Sequence, residues 1–466
     1  MSRVNKIYFY SLCLYAFFLP SLNNLTTPML ILMTVLTLLD YQSIGRLWVA
    51  NKNNLVVLSL PIVFLLNGVS LFYSSDFEAG TKYLIRSLPL LLFPFVLFKT
   101  IDINNEQKNI IFKLFVLGCV VTILYSYSYI IYEAIEGSYK KIHVKENYLK
   151  YFLNRITYHD LVSKNIVDHS IYFAAYILFS IIILKNRKEL FSNKIRKPIM
   201  LLFLVTFILL TPLVIAISGL FIFSINFVIQ NNGYQTNENR LKLLKENTFW
   251  SFIVFYLFVW KIQPHLEFIY MFNNLKYNLI IIGGMIFSML CGQIIFTFYS
   301  FKLIKWVVIS LFSILGITVI ALVLIPVELY SFKLSNYTAR LVNNYASIRI
   351  LKDNFLFGVG IGDVQDNLVK VYREIGFRKI QFNEHNQYFR FWLGSGVLSI
   401  VVYVFWIVKI FLNSILQKDT LKMSVIITLL LFCFTESVLV RQMGISFFIF
   451  FIFFLNYSKT TIKQYN

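Results

Sequence analysis

Charge is scarce in this sequence. Only 14% of its 466 residues are Asp, Glu, Lys or Arg, where a soluble domain carries roughly 25%. A water-soluble enzyme is excluded, because so few charges cannot cover the surface of a soluble sphere. Acids are the scarcer kind, 22 against 43 basic residues, and the loops expected on the outer face hold no DxD or comparable acidic cluster to bridge a divalent cation. The four cysteines, Cys13, Cys119, Cys291 and Cys433, sit singly inside apolar stretches with neither paired nor zinc-ligand spacing, so no disulfide framework or zinc site follows. No domain-sized polar segment, internal repeat or low-complexity linker appears. Arg3 and Lys6 precede an apolar run that lacks a small-residue cleavage site, and Pro20 with Asn23 and Asn24 suggests a first hairpin rather than a removed signal peptide.

What is abundant is apolar surface. Apolar residues make up 58% of the chain, with 48 Phe and 29 Tyr, and the mean hydropathy is +0.70. Crossing a bilayer takes about 20 apolar residues. Runs of that kind recur at 6–22, 25–39, 54–73, 83–99, 109–132, 166–184, 198–212, 214–229, 249–262, 277–299, 303–326, 389–413, 423–440 and 444–457. The expected fold is an all-α polytopic membrane protein with 12 to 14 spans. The net charge of +21 does not call for nucleic acid, since the basic residues fall in short clusters between apolar runs. Such clusters mark cytoplasmic loops. Residues 185–197 are the densest, with Lys185, Arg187, Lys188, Lys194, Arg196 and Lys197 against Glu189 alone.

Placing those clusters in the cytoplasm puts a loop of 327–388 on the opposite face, between a bundle of 1–326 and the spans of 389–466. A connection so long is usually functional. Within it, 337–352 and 364–376 are expected to form amphipathic helices on the membrane surface, the first with Leu341, Tyr345, Ile348 and the Lys352 stem on one side. Gly358, Gly360 and Gly362 alternate in a way unlike a dinucleotide fingerprint, and a tight turn is their expected use.

Two residues of this loop invite chemistry. His385 stands where the loop enters a span, and an ionisable group at membrane depth is costly enough to suggest function, although such a histidine also serves as a plain interfacial hydrogen-bonder. Its side chain exchanges protons near neutrality. Arg340 reads equally as a solvated charge on an amphipathic helix and as a planar guanidinium able to clamp phosphate oxygens. Arg86, Arg349 and Arg390 share that ambiguity. His169 opens a span on the same face as His385, while His143, His159 and His265 lie in loops without an obvious partner.

The stretch ARLVNNYASIRILKDNFLFGVGIGD, followed by EHNQYFRFWLGSGVLS, resembles the O-antigen ligase and polymerase family. Arg340 takes the position of the family's Arg. Asn354, Leu356, Phe357, Gly358, Val359 and Gly360 match its second element, and His385, Asn386 and Tyr388 its third, with Gly394 and Gly396 behind. The tail with Glu436, Arg441, Gln442 and Gly444 is also similar, as is the DHSIYF around His169. Asn344 stands where the family has Trp, and Phe355 where it has Pro. A second phosphate-binding Arg is missing from AISGLF, where Gly219 follows Ser218, so either another cation such as Arg86 replaces it or the diphosphate is held differently.

The resemblance implies a transferase that needs no cofactor or metal. It lies in the bacterial inner membrane with the long loop in the periplasm, and moves a glycan from undecaprenyl diphosphate to a lipid A-core sugar. His385 is then the base and Arg340 the diphosphate clamp, with Arg86, His169, Asn386, Tyr388, Gly358, Gly360, Glu436 and Arg441 in support. A polymerase of the same family would use a lipid-linked glycan acceptor instead. A flippase or transporter of lipid-linked oligosaccharide is the alternative of another class. It would call for charges facing a cavity within several spans.

Overall fold

A computed structural model of the chain describes residues 3–21, 23–40, 55–140, 170–210, 214–219, 222, 336–377 and 383–457. Among them the regular structure is helical, with no strand. Among the described residues four helices are long and apolar enough to cross a membrane: Leu55–Tyr73, Phe77–Lys99, Asn105–Tyr129 and Val397–Leu416. Four shorter apolar ones accompany them at Asn24–Leu39, Ser170–Asn186, Thr420–Cys433 and Gln442–Asn456. The expected spans at 249–262, 277–299 and 303–326, and residues 220, 221 and 223–229 of the run 214–229, lie outside the described residues.

In chain order the helices are α1 (Arg3–Phe18), α2 (Asn23–Leu39), α3 (Leu55–Ser70), α4 (Phe77–Val96), α5 (Asn105–Lys140), α6 (Ser170–Asn186) and α7 (Asn193–Leu209). They continue with α8 (Asn336–Asp353), α9 (Val364–Glu374), α10 (Gln387–Ser395), α11 (Val397–Leu416), α12 (Thr420–Cys433) and α13 (Gln442–Asn456). A turn holding Pro20 separates α1 from α2, and the two pack together.

The hub is α13. Every residue from Met443 to Leu455 is buried, as befits a helix that is apolar all round. Its phenylalanines meet rings from four other helices: Phe450 packs on Tyr15 and Phe93, Phe451 on Phe115, and Phe447 on Tyr176 and Phe179. Offset and edge-on ring pairs are favourable beyond the area they bury. Much of the phenylalanine excess therefore makes a protein interior rather than a lipid-facing coat.

At one end of the bundle α8, α9 and α10 pack against each other around a second, smaller core of Val342, Ala346, Ile350, Leu368, Tyr372 and Leu393. The helices expected at 337–352 and 364–376 are present as α8 and α9, but α8 buries a different face. Val342, Asn343, Ala346, Ser347, Ile350 and Leu351 are inside, Tyr345 and Ile348 are half-buried, and Lys352 is exposed. The small and polar residues of that face are inside with part of their hydrogen bonding met internally, although Asn343 Nδ2 is buried without a partner. Tyr372 Oη donates to Asn343 Oδ1 at 2.9 Å and Ser347 Oγ to the Asn343 carbonyl at 2.8 Å. Burial pushes the Tyr372 phenol well above its ordinary range, with the Glu384 carboxylate adding to the shift, so it stays a donor.

Two expected spans are interrupted. The run 389–413 divides into α10 and α11 at Gly396, whose φ of 81° lies in the left-handed region. The Leu356 carbonyl presses so close there that a Cβ would overlap it. The run 423–440 ends as α-helix at Cys433, and a short 3-10 turn, Val438–Val440, leads into α13.

Candidate functional site

Asn386 organises the site locally. Its side chain accepts hydrogen bonds from the Tyr388 and Phe389 backbone N–H groups at 3.0 and 3.3 Å, capping α10. An Asn at that position satisfies donors that the first turn of a helix otherwise leaves orphaned. Two residues on, Tyr388 lies 4.6 Å from the Phe434 ring, and its hydroxyl donates to the Leu430 carbonyl at 3.2 Å. The spacing His-Asn-x-Tyr is thus a cap followed by an anchor on α12.

His385 precedes the cap with φ of 46°. A side chain in that region costs about 1–2 kcal/mol, and such strain persists where the surroundings impose it. Here they do. Nδ1 of His385 is 3.0 Å from Oε2 of Glu436, and the His385 N–H donates to Asn383 Oδ1 at 3.3 Å. The imidazole remains 21% exposed and the carboxylate 9%. With Nδ1–H donated to the carboxylate, Nε2 carries the lone pair, and the carboxylate stabilises any positive charge the ring acquires.

Neighbouring residues repeat the pairing between the same two segments. Ser437 Oγ donates to Glu384 Oε1 at 2.6 Å, and the Leu439 N–H to Gln387 Oε1 at 2.7 Å. The start of α10 and the turn after α12 are therefore laced at three successive points. Glu384 is almost fully buried, and its second oxygen lies 3.7 Å from Nη1 of Arg390. The Arg390 guanidinium in turn lies over the Tyr83 ring of α4, 4.7 Å from its centroid. A buried charge is tolerated when paired in this way.

The glycine turn is a clasp. The Val359 N–H donates to the Leu393 carbonyl at 2.7 Å, Ile361 N–H to Ser70 Oγ and Gly362 N–H to Ser74 Oγ, both at 3.2 Å. Asp363 accepts from the N–H groups of Ser75 and Asp76 at 2.7 and 2.8 Å. Gly358 and Gly360 have φ of 72° and 90° and approach Leu393 and Ser74 too closely to admit a side chain. They position α10 against α3 and α4.

Of the residues expected at the site, His385, Glu436, Asn386 and Tyr388 come together. Arg340 lies in the first turns of α8, at the helix register shared by Asn343 and Ser347; its side chain is outside the described residues, as is the whole of His169. Arg86 is exposed on α4, one turn beyond Tyr83, and Arg441 is exposed at the start of α13. Ser218 is buried and bonds to the Val214 carbonyl. Sequence reasoning missed the roles of Glu384, Gln387 and Ser437. Their only signal was polar residues crowded into otherwise apolar flanks, in NEHNQ and TESVL. No family model matches this chain, and neither does any curated protein sequence.

Proposed function

We propose that this chain is a membrane glycan transferase, an O-antigen ligase-like enzyme of the bacterial inner membrane. It takes a glycan from undecaprenyl diphosphate and places it on a lipid A-core sugar at the periplasmic face. The observation that carries the proposal is the His385–Glu436 pair, 3.0 Å apart and partly open, at the junction of the polar helices and the apolar bundle. The resemblance around Arg340 and His385 supports it.

In this reaction the acceptor hydroxyl gives its proton to Nε2 of His385 as its oxygen attacks the anomeric carbon. The bond from that carbon to the diphosphate oxygen breaks, and the lipid diphosphate leaves as an anion, inverting the configuration. Such a leaving group needs charge stabilisation more than a proton, and a guanidinium at Arg340 supplies it. Base catalysis at the hydroxyl contributes about 10²–10⁴-fold. Glu436 holds the imidazole in the productive tautomer. The apolar helices hold both lipid tails, so that the reacting groups meet already oriented.

The test is reconstitution of the purified chain in vesicles with carrier-linked glycan and lipid A-core. Glycan transferred to the core without ATP or added metal is the expected product. Transfer only onto a second carrier-linked glycan would make the chain a polymerase, and transfer to neither acceptor would overturn the proposal.

A further inference from the structure

The polar end of the bundle carries one apolar edge that no step above uses. Residues 354–362 contain no charge, and at their tip Phe355, Leu356 and Phe357 are 50%, 62% and 72% exposed. Exposed apolar patches on otherwise polar elements mark interaction surfaces. We propose that this tip is a wedge seated among the acyl chains of the membrane leaflet that the neighbouring spans reach.

Three span ends fix the level at which the tip lies. Tyr73 closes the span Leu55–Tyr73, Phe77 opens Phe77–Lys99, and Val397 opens Val397–Leu416. The tip is bonded directly to two of these. Tyr73 Oη donates to the Phe357 carbonyl at 2.7 Å, and the Val397 N–H to the Leu356 carbonyl at 3.1 Å. Trp392 Nε1 donates to the Phe355 carbonyl at 2.9 Å, with the two rings edge-on at 5.1 Å. All three carbonyls are therefore satisfied inside the fold. For the carbonyls, this meets the requirement placed on backbone outside a helix that enters a medium without water.

The surface below the tip is continuous with it. Leu65, Val69 and Phe72 form an exposed apolar stripe on α3 and the turn after it, and Leu398 and Val401 begin another on α11. These are the faces that candidate spans turn to lipid. Aromatic residues such as Tyr73 and Trp392 favour the boundary between acyl chains and water, where an apolar ring and a polar atom are both accommodated. Of the charges that flank the tip, Asp363 is held by Ser75 and Asp76, while Lys352 and Asp353 at the end of α8 are exposed. A lipid surface thus fits the shape, the level and the bonding of this edge, and it seats the polar helices close to the bilayer whatever reaction they perform.

The test uses the full chain in vesicles of phosphatidylethanolamine and phosphatidylglycerol, with the photoreactive residue p-benzoylphenylalanine placed at Phe357. Leu65 serves as a lipid-facing control position and exposed Lys370 of α9 as an aqueous one. Illumination should give phospholipid adducts at 357 in a yield comparable with that at position 65 and far above that at 370. Adducts at the level of position 370, or crosslinks solely to another segment of this chain, would overturn the proposal. If the probe at 357 disturbs folding, the same probe at Phe355 carries the same two outcomes.

Discussion

Nδ1 of His385 lies 3.0 Å from Oε2 of Glu436, across 51 residues of sequence. One residue to each side, Glu384 receives the Ser437 hydroxyl at 2.6 Å. Two consecutive side chains at the entry to α10 are thus paired with two consecutive side chains after α12. The imidazole cannot turn without breaking its own bond, and its backbone cannot relax from the left-handed region without disturbing Glu384 as well. The orientation of His385 is a property of both segments together.

Glu436→Gln is the first consequence. The amide keeps the size of the carboxylate but not its charge, so the protonated imidazole loses its stabilisation. Transfer should slow by more than tenfold, and His385→Ala/Glu436→Gln should be no slower than His385→Ala alone, because residues acting as a unit are not additive. Rates of the three variants in the vesicle assay check this.

Breaking the buried lacing should cost stability before chemistry. Ser437→Ala removes a donor from a buried carboxylate and is expected to destabilise by about 1–3 kcal/mol. Arg390→Ala leaves Glu384 unpaired and should cost about 3–5 kcal/mol, while the pair Glu384→Gln with Arg390→Met should recover most of that loss. Denaturation of the detergent-solubilised chain measures all three.

Gly396→Ala tests the break between α10 and α11. A left-handed φ alone costs about 1–2 kcal/mol for an L side chain, and the Leu356 carbonyl leaves no room for a Cβ. The turn should release from the helix ends, and hydrogen exchange should show loss of protection at the Val359 and Val397 amides.

Arg340 belongs to the transferase reading and separates binding from proton transfer. Arg340→Ala should raise the KM for the diphosphate-linked donor and lower kcat as well, because the charge it meets grows as the bond breaks. Arg340→Lys should restore part of the activity, since a point charge remains without the bidentate fork. Steady-state kinetics against donor concentration give both quantities.

Local pattern was enough to place α8 and α9, whose limits of Asn336–Asp353 and Val364–Glu374 lie close to the expected 337–352 and 364–376. It was not enough to find the buried face of α8. Hydropathy alone points apolar side chains inward, whereas Asn343 and Ser347 go inside with Tyr372 bonded to the Asn343 amide oxygen and a neighbouring carbonyl accepting from Ser347. The division of 389–413 is hidden because apolar runs read straight through Gly394 and Gly396 alike, and only the left-handed φ of Gly396 and the distant Leu356 carbonyl make the second a break. His385 stood out as an ionisable group in apolar surroundings. Its partner Glu436 is marked only by the resemblance of the tail, and nothing in a linear pattern joins residues 51 apart.

The most direct measurement is single-turnover transfer by reconstituted His385→Ala, with donor binding and the far-UV helical signal followed on the same sample. A rate lower by about 10²–10⁴-fold, with donor affinity and helicity preserved, is the result the proton-transfer role predicts. Transfer at the wild-type rate by the folded variant would contradict it.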